Sequence, residues 1–188
     1  MSDAAPVVEC PTIDPTEADR FLSIFGTDVF TFQTFDDNPS RKDRTLAQIF
    51  HGTREQVHAQ LVELQCHGAG VFVTLNETDG LGRRTQNIIR VRAYAFDTDG
   101  APLRNGERLG LLPTAIIESS PGRYWAVYLI EDAPLDAENF KRTQKQLAQL
   151  MESDESVCDL PRVMRLPGFL HQKNPDRPFM SRIHYLNI

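Results

Sequence analysis

The sequence reads RVRAYAFDTDG over residues 90–100, an apolar run followed by two acidic residues. Branched and aromatic residues are frequent from Val91 to Phe96 and favour a β-strand there. Asp97 and Asp99 come next, two residues apart, so on an extended chain both carboxylates are expected to point to the same face. This stretch therefore predicts a strand whose end carries a pair of acids.

Paired carboxylates on one face repel each other unless one is protonated or a cation lies between them. Oxygen ligands of this kind suit Mg²⁺ or Mn²⁺ better than Zn²⁺. The same residues, Asp-Thr-Asp-Gly at 97–100, are also compatible with an ordinary turn at the end of a strand. From these residues alone, a metal site and a simple turn both remain open.

A hairpin is predicted further along the chain. Two strand-like runs, residues 114–118 and 123–130, are joined by Ser-Ser-Pro-Gly at 119–122, and Pro followed by Gly suits a type II turn. The two hydroxyls, the turn amides and the guanidinium of Arg123 can all donate hydrogen bonds to phosphate oxygens. The alternative interpretation is a tight turn that binds nothing.

A third segment reads DLPRVMRLPGFLHQK over residues 159–173. Two prolines and one glycine shape it, and its basic side chains could donate hydrogen bonds to phosphate. These side chains are Arg162, Arg165, His171 and Lys173. A surface loop with ordinary salt bridges would contain the same residues.

The remaining elements follow from capping signals and periodicity. Helices are predicted over residues 14–26, 53–68 and 136–151, and further strands over 29–35, 71–75 and 179–188. Residues 1–13 are expected to form a loose lead-in. This order predicts an α+β chain with a mixed sheet, in two tightly joined halves.

Composition excludes several classes of protein. The chain has 188 residues and a net charge of −6, which argues against nonspecific coating of nucleic acid, although residues 83–92 hold four arginines and no acid. No apolar run approaches the roughly 20 residues of a membrane helix, and the N-terminus lacks a secretory signal. A cytoplasmic protein is therefore expected, with Cys10, Cys66 and Cys158 as free thiols.

Taken together, these segments resemble the RepB-like primase domain of plasmid and prophage replication proteins, within the archaeo-eukaryotic primase superfamily. The matching stretches are FTFQTFDD (30–37), HGAGVFVTLNETDGLGRR (67–84), RVRAYAFDTDG (90–100), IIESSPGRYWAVYLIE (116–131) and CDLPRVMRLPGFLHQK (158–173). The resemblance implies a primase-polymerase fold, in which an N-terminal αβ unit packs on an RNA-recognition-like mixed sheet. Residues 14–188 would form this catalytic domain, which in the family can be the N-terminal part of a longer replication protein.

The resemblance implies a primase or polymerase of DNA replication. The reaction would be template-directed nucleotidyl transfer on single-stranded DNA from an NTP or dNTP, with two Mg²⁺ or Mn²⁺ ions and a helicase domain or partner. The implied catalytic residues, which are also the implied metal ligands, are Asp97, Asp99 and Asp154. Asp159 is a less favoured candidate for the third acid.

Binding residues are implied as well. Those implied for the nucleotide are Ser119, Ser120, Arg123, Trp125, Arg165 and Lys173. Those implied for DNA are Arg83, Arg84, Arg90, Arg92 and Arg162. Trp125 departs from the family, which has a histidine there, because an indole cannot accept a proton or carry a charge. Reduced activity is therefore expected, and two alternatives stay open: a weakly active or non-catalytic module that binds single-stranded DNA and NTP, and a metal-dependent nuclease.

Overall fold

The computed structural model describes residues 12–100, 102–103 and 110–187. The helices within these ranges are α1 (Pro15–Ser23), α2 (Arg54–Cys66) and α3 (Ala137–Met151). The strands are β1 (Val29–Asp36), β2 (Ile49–Thr53), β3 (Ala69–Thr74), β4 (Glu77–Thr78), β5 (Ile88–Asp97), β6 (Ala115–Ser120), β7 (Arg123–Ala133), β8 (Val163–Arg165), β9 (Leu170–His171), β10 (Phe179–Met180) and β11 (Arg182–Leu186).

Side-chain caps start all three helices. The Asp14 carboxylate accepts a hydrogen bond from the Glu17 amide at 3.2 Å, with Pro15 at the first position of α1. Thr53 and Gln56 form a reciprocal capping box at the start of α2. Asp136 caps α3 by accepting from two amides at 3.0 Å. These helix starts were predicted and are confirmed.

Two antiparallel sheets form the body of the domain. The first sheet has the strand order β2-β1-β3-β8, and the second has the order β11-β6-β7-β5-β4, while β9 and β10 form a separate pair. The predicted hairpin is confirmed as β6 and β7, joined at Pro121-Gly122, where Gly122 has a φ of 69°.

The main hydrophobic core lies between the two sheets and the first two helices. Phe21 of α1, Leu61 of α2, Phe32 of β1 and Ile117 of β6 are fully buried within it. Helix α3 covers the other face of the second sheet, where Phe140 stacks on Tyr94 at a ring-centroid distance of 5.1 Å. The second sheet is therefore covered on both faces.

The Arg-Leu-Pro-Gly segment closes the fold against the start of α1. The Asp14 amide donates to the Gly168 carbonyl at 2.8 Å, and the Gly168 amide donates to the Ser181 carbonyl at 2.8 Å. Gly168 has a φ of 82°, and a Cβ there would collide with the Asp14 carbonyl oxygen, so the position requires glycine. This contact brings the segment at 163–173 next to residues from the beginning of the chain.

The α+β class is confirmed, but the sheets are not mixed. All strand pairs that the structure describes are antiparallel, because the connections are hairpins or long crossovers that return against their neighbours. Strand β2 was not predicted, since it is short, lies at a sheet edge and contains Gly52.

One cysteine expectation is wrong. Cys66 is disulfide-bonded and only Cys158 is a free thiol among the cysteines described, because spacing along the chain does not reveal which sulfurs the fold brings together. Cys10 and most of the predicted lead-in lie outside the described residues. None of the described helices is both long and apolar enough to cross a membrane.

Candidate active-site cleft

An open cleft of about 610 Å³ lies where the ends of β1 and β5, the β6–β7 turn and the residues around β8 and β9 meet. Most of the residues predicted for catalysis and nucleotide binding line it: Asp97, Asp99, Ser119, Ser120, Arg123, Trp125, Arg165 and Lys173. They come from three segments that are distant in the sequence. The cleft is therefore a product of the tertiary fold.

Asp97 is the acid at the end of β5, paired in register with Trp125 of β7. The Asp154 amide donates a hydrogen bond to the Asp97 carbonyl at 3.2 Å, so the fold brings this third acid beside the strand end. Burial raises the pKa of Asp97, and the negative charge of Asp154 raises it further, against the opposing effect of Arg123. The ionised Asp97 is consequently a carboxylate for which a nearby cation would be favourable.

Asp99 reaches the cleft by a different route from the one predicted. The strand ends at Asp97, and Asp99 lies beyond it in the left-handed region, with a φ of 44° and its amide donating to Asp97 Oδ1 at 3.0 Å. Its exposed carboxylate forms an ion pair with Arg123. The two acids therefore meet through a turn, not through the alternation of a strand.

The donor chemistry of the three acids fits a hard divalent cation, because all three offer carboxylate oxygens and Asp97 is destabilised as an anion. Two of the carboxylates have other partners: Asp99 is paired with Arg123, and Asp154 accepts from the Ser156 amide and hydroxyl, each at 2.8 Å. In the described part of the chain, no group of three His, Cys, Asp or Glu side chains is arranged around a metal position.

The β6–β7 turn is held by an acid that sequence reasoning did not single out. Glu118 accepts from the Gly122 amide at 3.0 Å and from Arg182 Nε at 2.8 Å. The Ser119 hydroxyl faces the Arg123 carbonyl at 3.5 Å, and Ser120 is buried. The turn is thus fixed against β11, with its serines and Arg123 at the wall of the cleft.

Trp125 forms part of the cleft floor and of the main core at once. It is 7% exposed and packs in the same cluster as Ile117 and Val127. Its indole therefore presents an apolar surface at the position where the family resemblance implies a histidine.

Arg165 lies in the cleft wall but is already paired. Its guanidinium donates to both carboxylate oxygens of Asp37, at 2.7 and 2.8 Å, and to the Leu170 carbonyl at 3.0 Å. Asp37 also accepts from the Gln172 amide at 2.7 Å, and a Cβ on Gly70 would lie within 2.6 Å of this ion pair. Asp37 and Gly70 were not assigned roles from the sequence, because their partners are far away along the chain.

His171 also lines the cleft, beside Arg165 and Lys173. Burial lowers the pKa of His171 to about 4, and the positive charge of Arg165 acts in the same direction. The imidazole is therefore neutral at physiological pH. The sequence indicated it as a phosphate donor, but it was not among the predicted site residues.

The arginines predicted to contact DNA do not form one continuous strip. Arg83 is half-buried near the cleft, donating to Gln33 Oε1 at 3.0 Å and to the Pro161 carbonyl at 2.6 Å. Arg162 is ion-paired with Asp159 and donates to the Ser156 carbonyl at 2.6 Å. Arg84 is exposed on the same loop as Arg83.

Arg90 and Arg92 lie on β5, at the end of the interface between the two sheets that is opposite the cleft. Arg92 is 5% exposed, lies over the rings of Phe25 and Phe30, and is five strand residues, roughly 16 Å, before Asp97. Burial lowers the pKa of Arg92 to about 10. Arg90 is exposed, and its Nη1 lies 3.9 Å from Glu77 Oε2. These two arginines are therefore separated from the cleft.

Three solved structures of primase or primase-polymerase proteins share the fold of this chain, which confirms the predicted primase-polymerase fold. The archaeo-eukaryotic primase domain of the cyanophage S-2L primase-polymerase aligns with a TM-score of 0.70 at 19% identity, over 94% of this chain and 92% of that one. The primase RepB′ aligns with a TM-score of 0.69 at 16% identity, over 91% of this chain and 56% of that one. The catalytic domain of RepB′ in complex with initiator DNA aligns with a TM-score of 0.65 at 17% identity, over 91% and 84%.

At the sequence level, no curated protein matches the chain. The sequence profile of the RepB DNA-primase N-terminal domain matches residues 47–180, which contain the cleft residues of β5, the hairpin and the Arg-Leu-Pro-Gly segment. Because this match spans well over half of the chain, the protein belongs to the RepB DNA-primase N-terminal domain family.

Proposed function

We propose that residues 14–188 form a catalytic domain that carries out template-directed nucleotidyl transfer on single-stranded DNA. The observation that carries the proposal is the cleft itself, which collects paired acids, a serine turn and basic side chains from separate segments. Membership of the primase family and the primase-polymerase fold support a replication primase-type function.

The acids are proposed to hold two Mg²⁺ or Mn²⁺ ions. Asp97, Asp99 and Asp154 would be the ligands, with Arg123 releasing Asp99 and Ser156 releasing Asp154. Bound divalent ions would increase the nucleophilicity of the primer hydroxyl and stabilise the pyrophosphate that leaves. The protein's own part is to fix Asp97 at the strand end and to hold Asp154 against it through the backbone.

The other side of the cleft is proposed to hold the triphosphate of an NTP or dNTP. Arg123 and Lys173 would neutralise its charge, and Ser119 and Ser120 would donate hydrogen bonds from the turn. In phosphoryl transfer, positioning and charge compensation provide most of the catalysis. Arg165 would act as a positioning residue, because its pairing with Asp37 fixes the segment that carries Lys173.

The template is proposed to enter beside the loop that carries Arg83 and Arg84, with Arg162 near the acids. Arg90 and Arg92 would contact DNA only where a strand extends to the far end of the sheets. A helicase domain or partner would supply unwound template. Phosphate contacts of this kind fix the strand's position without reading its sequence.

Trp125 favours one alternative, a module that binds single-stranded DNA and NTP with little or no catalysis. It places a buried apolar indole where the family has a histidine. Such a module would bind both ligands in the cleft without extending a primer.

The test is incubation of the protein with single-stranded template, labelled NTPs or dNTPs, and Mn²⁺. Asp97→Asn removes a proposed ligand, and Glu131→Gln is the matched control, an exposed acid on β7 remote from the cleft. Labelled products from wild type and Glu131→Gln but not from Asp97→Asn would support the proposal. Nucleotide binding without products would favour the non-catalytic module, and metal-dependent loss of template without nucleotide would indicate a nuclease.

A further inference from the structure

Phe35 is an unusually exposed aromatic ring for its place in the fold. It lies on β1, where Phe32 and Thr34 are fully buried, yet it is itself 36% exposed. Its ring lines the same cleft as Asp97 and Trp125, with the first sheet contributing Phe35 and the second contributing the acid. A phenylalanine ring left partly in water forgoes part of the free energy that burial would provide, so its exposed surface is available for a partner.

The ring is held in place by its neighbours. Phe72 of β3 packs against Phe35 edge to face, with 5.5 Å between the ring centroids. The Arg83 guanidinium lies 5.9 Å from the Phe35 centroid, and its bonds to Gln33 and Pro161 fix it there. Arg165 lies 4.6 Å from the centroid of Phe72 on the same wall. The pair of rings is thus braced by two anchored cations.

We propose that Phe35, braced by Phe72 and Arg83, is a stacking platform for a nucleobase in the cleft. This inference rests on the proposed function, since it identifies what the aromatic wall of that cleft contacts. An aromatic ring beside a groove of positive side chains is the arrangement by which proteins bind single-stranded nucleic acid without sequence preference. It also gives Arg83 a second role: two of its N–H groups are bonded within the protein, so the side chain supports the ring while its other donors face the template.

The base can come from the DNA strand or from the nucleotide, and two binding measurements distinguish these sources. The first uses fluorescence anisotropy with labelled oligothymidylate and with a fully abasic oligonucleotide of the same length. The second follows quenching of Trp125, the single tryptophan of the chain and a cleft residue, by dTTP and by inorganic triphosphate. Each pair keeps the phosphates and removes the base, and inorganic triphosphate also lacks the sugar.

Three variants make the test specific. Phe35→Leu keeps an apolar side chain but removes the ring face, and Phe35→Tyr keeps the ring. Val29→Ala is the control, because Val29 is 57% exposed at the other end of the same strand. Melting temperatures of all the proteins verify folding.

We expect Phe35→Leu to weaken binding of oligothymidylate or of dTTP by about 5- to 150-fold, while abasic DNA and inorganic triphosphate bind as they do to wild type. Phe35→Tyr and Val29→Ala should retain binding. A loss confined to DNA assigns the base to the strand, and a loss confined to dTTP assigns it to the nucleotide.

Suppose that wild type and Phe35→Leu bind oligothymidylate and dTTP equally well and that the protein extends primers. This result would overturn the stacking platform but not the proposed function. An equal loss of affinity for ligands with and without a base would also overturn the stacking platform, because Phe35 would then only maintain the structure of the cleft. Failure of the wild type to bind either DNA or nucleotide would overturn the proposed function as well.

Discussion

Two buried arginines lie against aromatic rings at opposite ends of the interface between the sheets, and their charges are compensated differently. Arg165, in the cleft wall, makes a two-point ion pair with Asp37 while its guanidinium covers Phe72. Arg92, at the far end, covers Phe25 and Phe30 and donates to the Leu75 carbonyl at 3.1 Å. Its Nη1 has no hydrogen-bond partner among the described residues.

This difference indicates which end of the interface between the sheets depends on a specific ion pair. Removing one member of a buried ion pair leaves an uncompensated charge, so the cleft end is sensitive to substitution. A buried arginine without a carboxylate partner stabilises the fold mainly because its aliphatic chain and its guanidinium plane pack on the aromatic rings. The far end should therefore tolerate an apolar replacement that the cleft end does not.

The largest expected effect is on activity at the cleft end. We expect Asp154→Asn to lower primer synthesis by at least about 100-fold, since even residues that only orient metal ligands cost 10- to 100-fold when replaced. Asp159→Asn is the matched control, because Asp159 is five residues away and ion-paired with Arg162, whereas Asp154 is held against the Asp97 backbone. The measurement is product yield with Mn²⁺. Loss of activity in Asp159→Asn, but not in Asp154→Asn, would move the third ligand.

The next effect concerns stability and compares the two ends directly. Asp37→Ala should lower the free energy of unfolding by about 3–5 kcal/mol, because it leaves Arg165 buried and unpaired. Arg92→Met should change it by no more than about 1 kcal/mol, since methionine replaces a buried cation with an apolar chain. Urea unfolding of both variants measures the difference. Equal losses of unfolding free energy would show that the two arginines contribute equally to stability.

A smaller effect is expected at Trp125, which lies between cleft and core. Trp125→His should lower the free energy of unfolding by about 2–4 kcal/mol, because a smaller polar ring leaves a cavity among Ile117, Val127 and their neighbours. We expect no gain in nucleotide incorporation. A well-folded variant that incorporates nucleotides about 10-fold faster, the value of one charge-assisted hydrogen bond, would show instead that the missing imidazole limits catalysis.

The smallest effect is a dependence of stability on pH at His171. The folded pKa of about 4 lies below the unfolded value of 6.5, so the unfolded chain binds more protons between these values and stability falls as the pH drops through this window. Half-exposure reduces the effect to about 1–2 kcal/mol. His171→Gln should lose less stability than wild type between pH 7 and pH 4. His184→Gln, at an exposed position, is the matched control.

Much of the site follows from local sequence. Asp97 was predicted from a strand that ends in acids, and Ser119, Ser120 and Arg123 from a turn whose Pro-Gly pair defines its shape. These features depend on residues within a few positions of each other. Asp37 was not assigned a role in the cleft, and Gly70 was not recognised as the position that leaves room for its ion pair, because both depend on partners on other strands.

The sequence by itself determined the capped helices, the hairpin, the strand that ends at Asp97, and the family to which the chain belongs. Backbone propensity, capping and turn geometry act over a few residues, so they can be predicted from residues that are adjacent in the sequence. Only the tertiary structure decided that Asp154 lies beside Asp97, that Asp37 pairs with Arg165 across 128 positions, and that Arg92 is buried far from the cleft. Such pairings depend on how two sheets pack, and no local pattern in the chain encodes that packing.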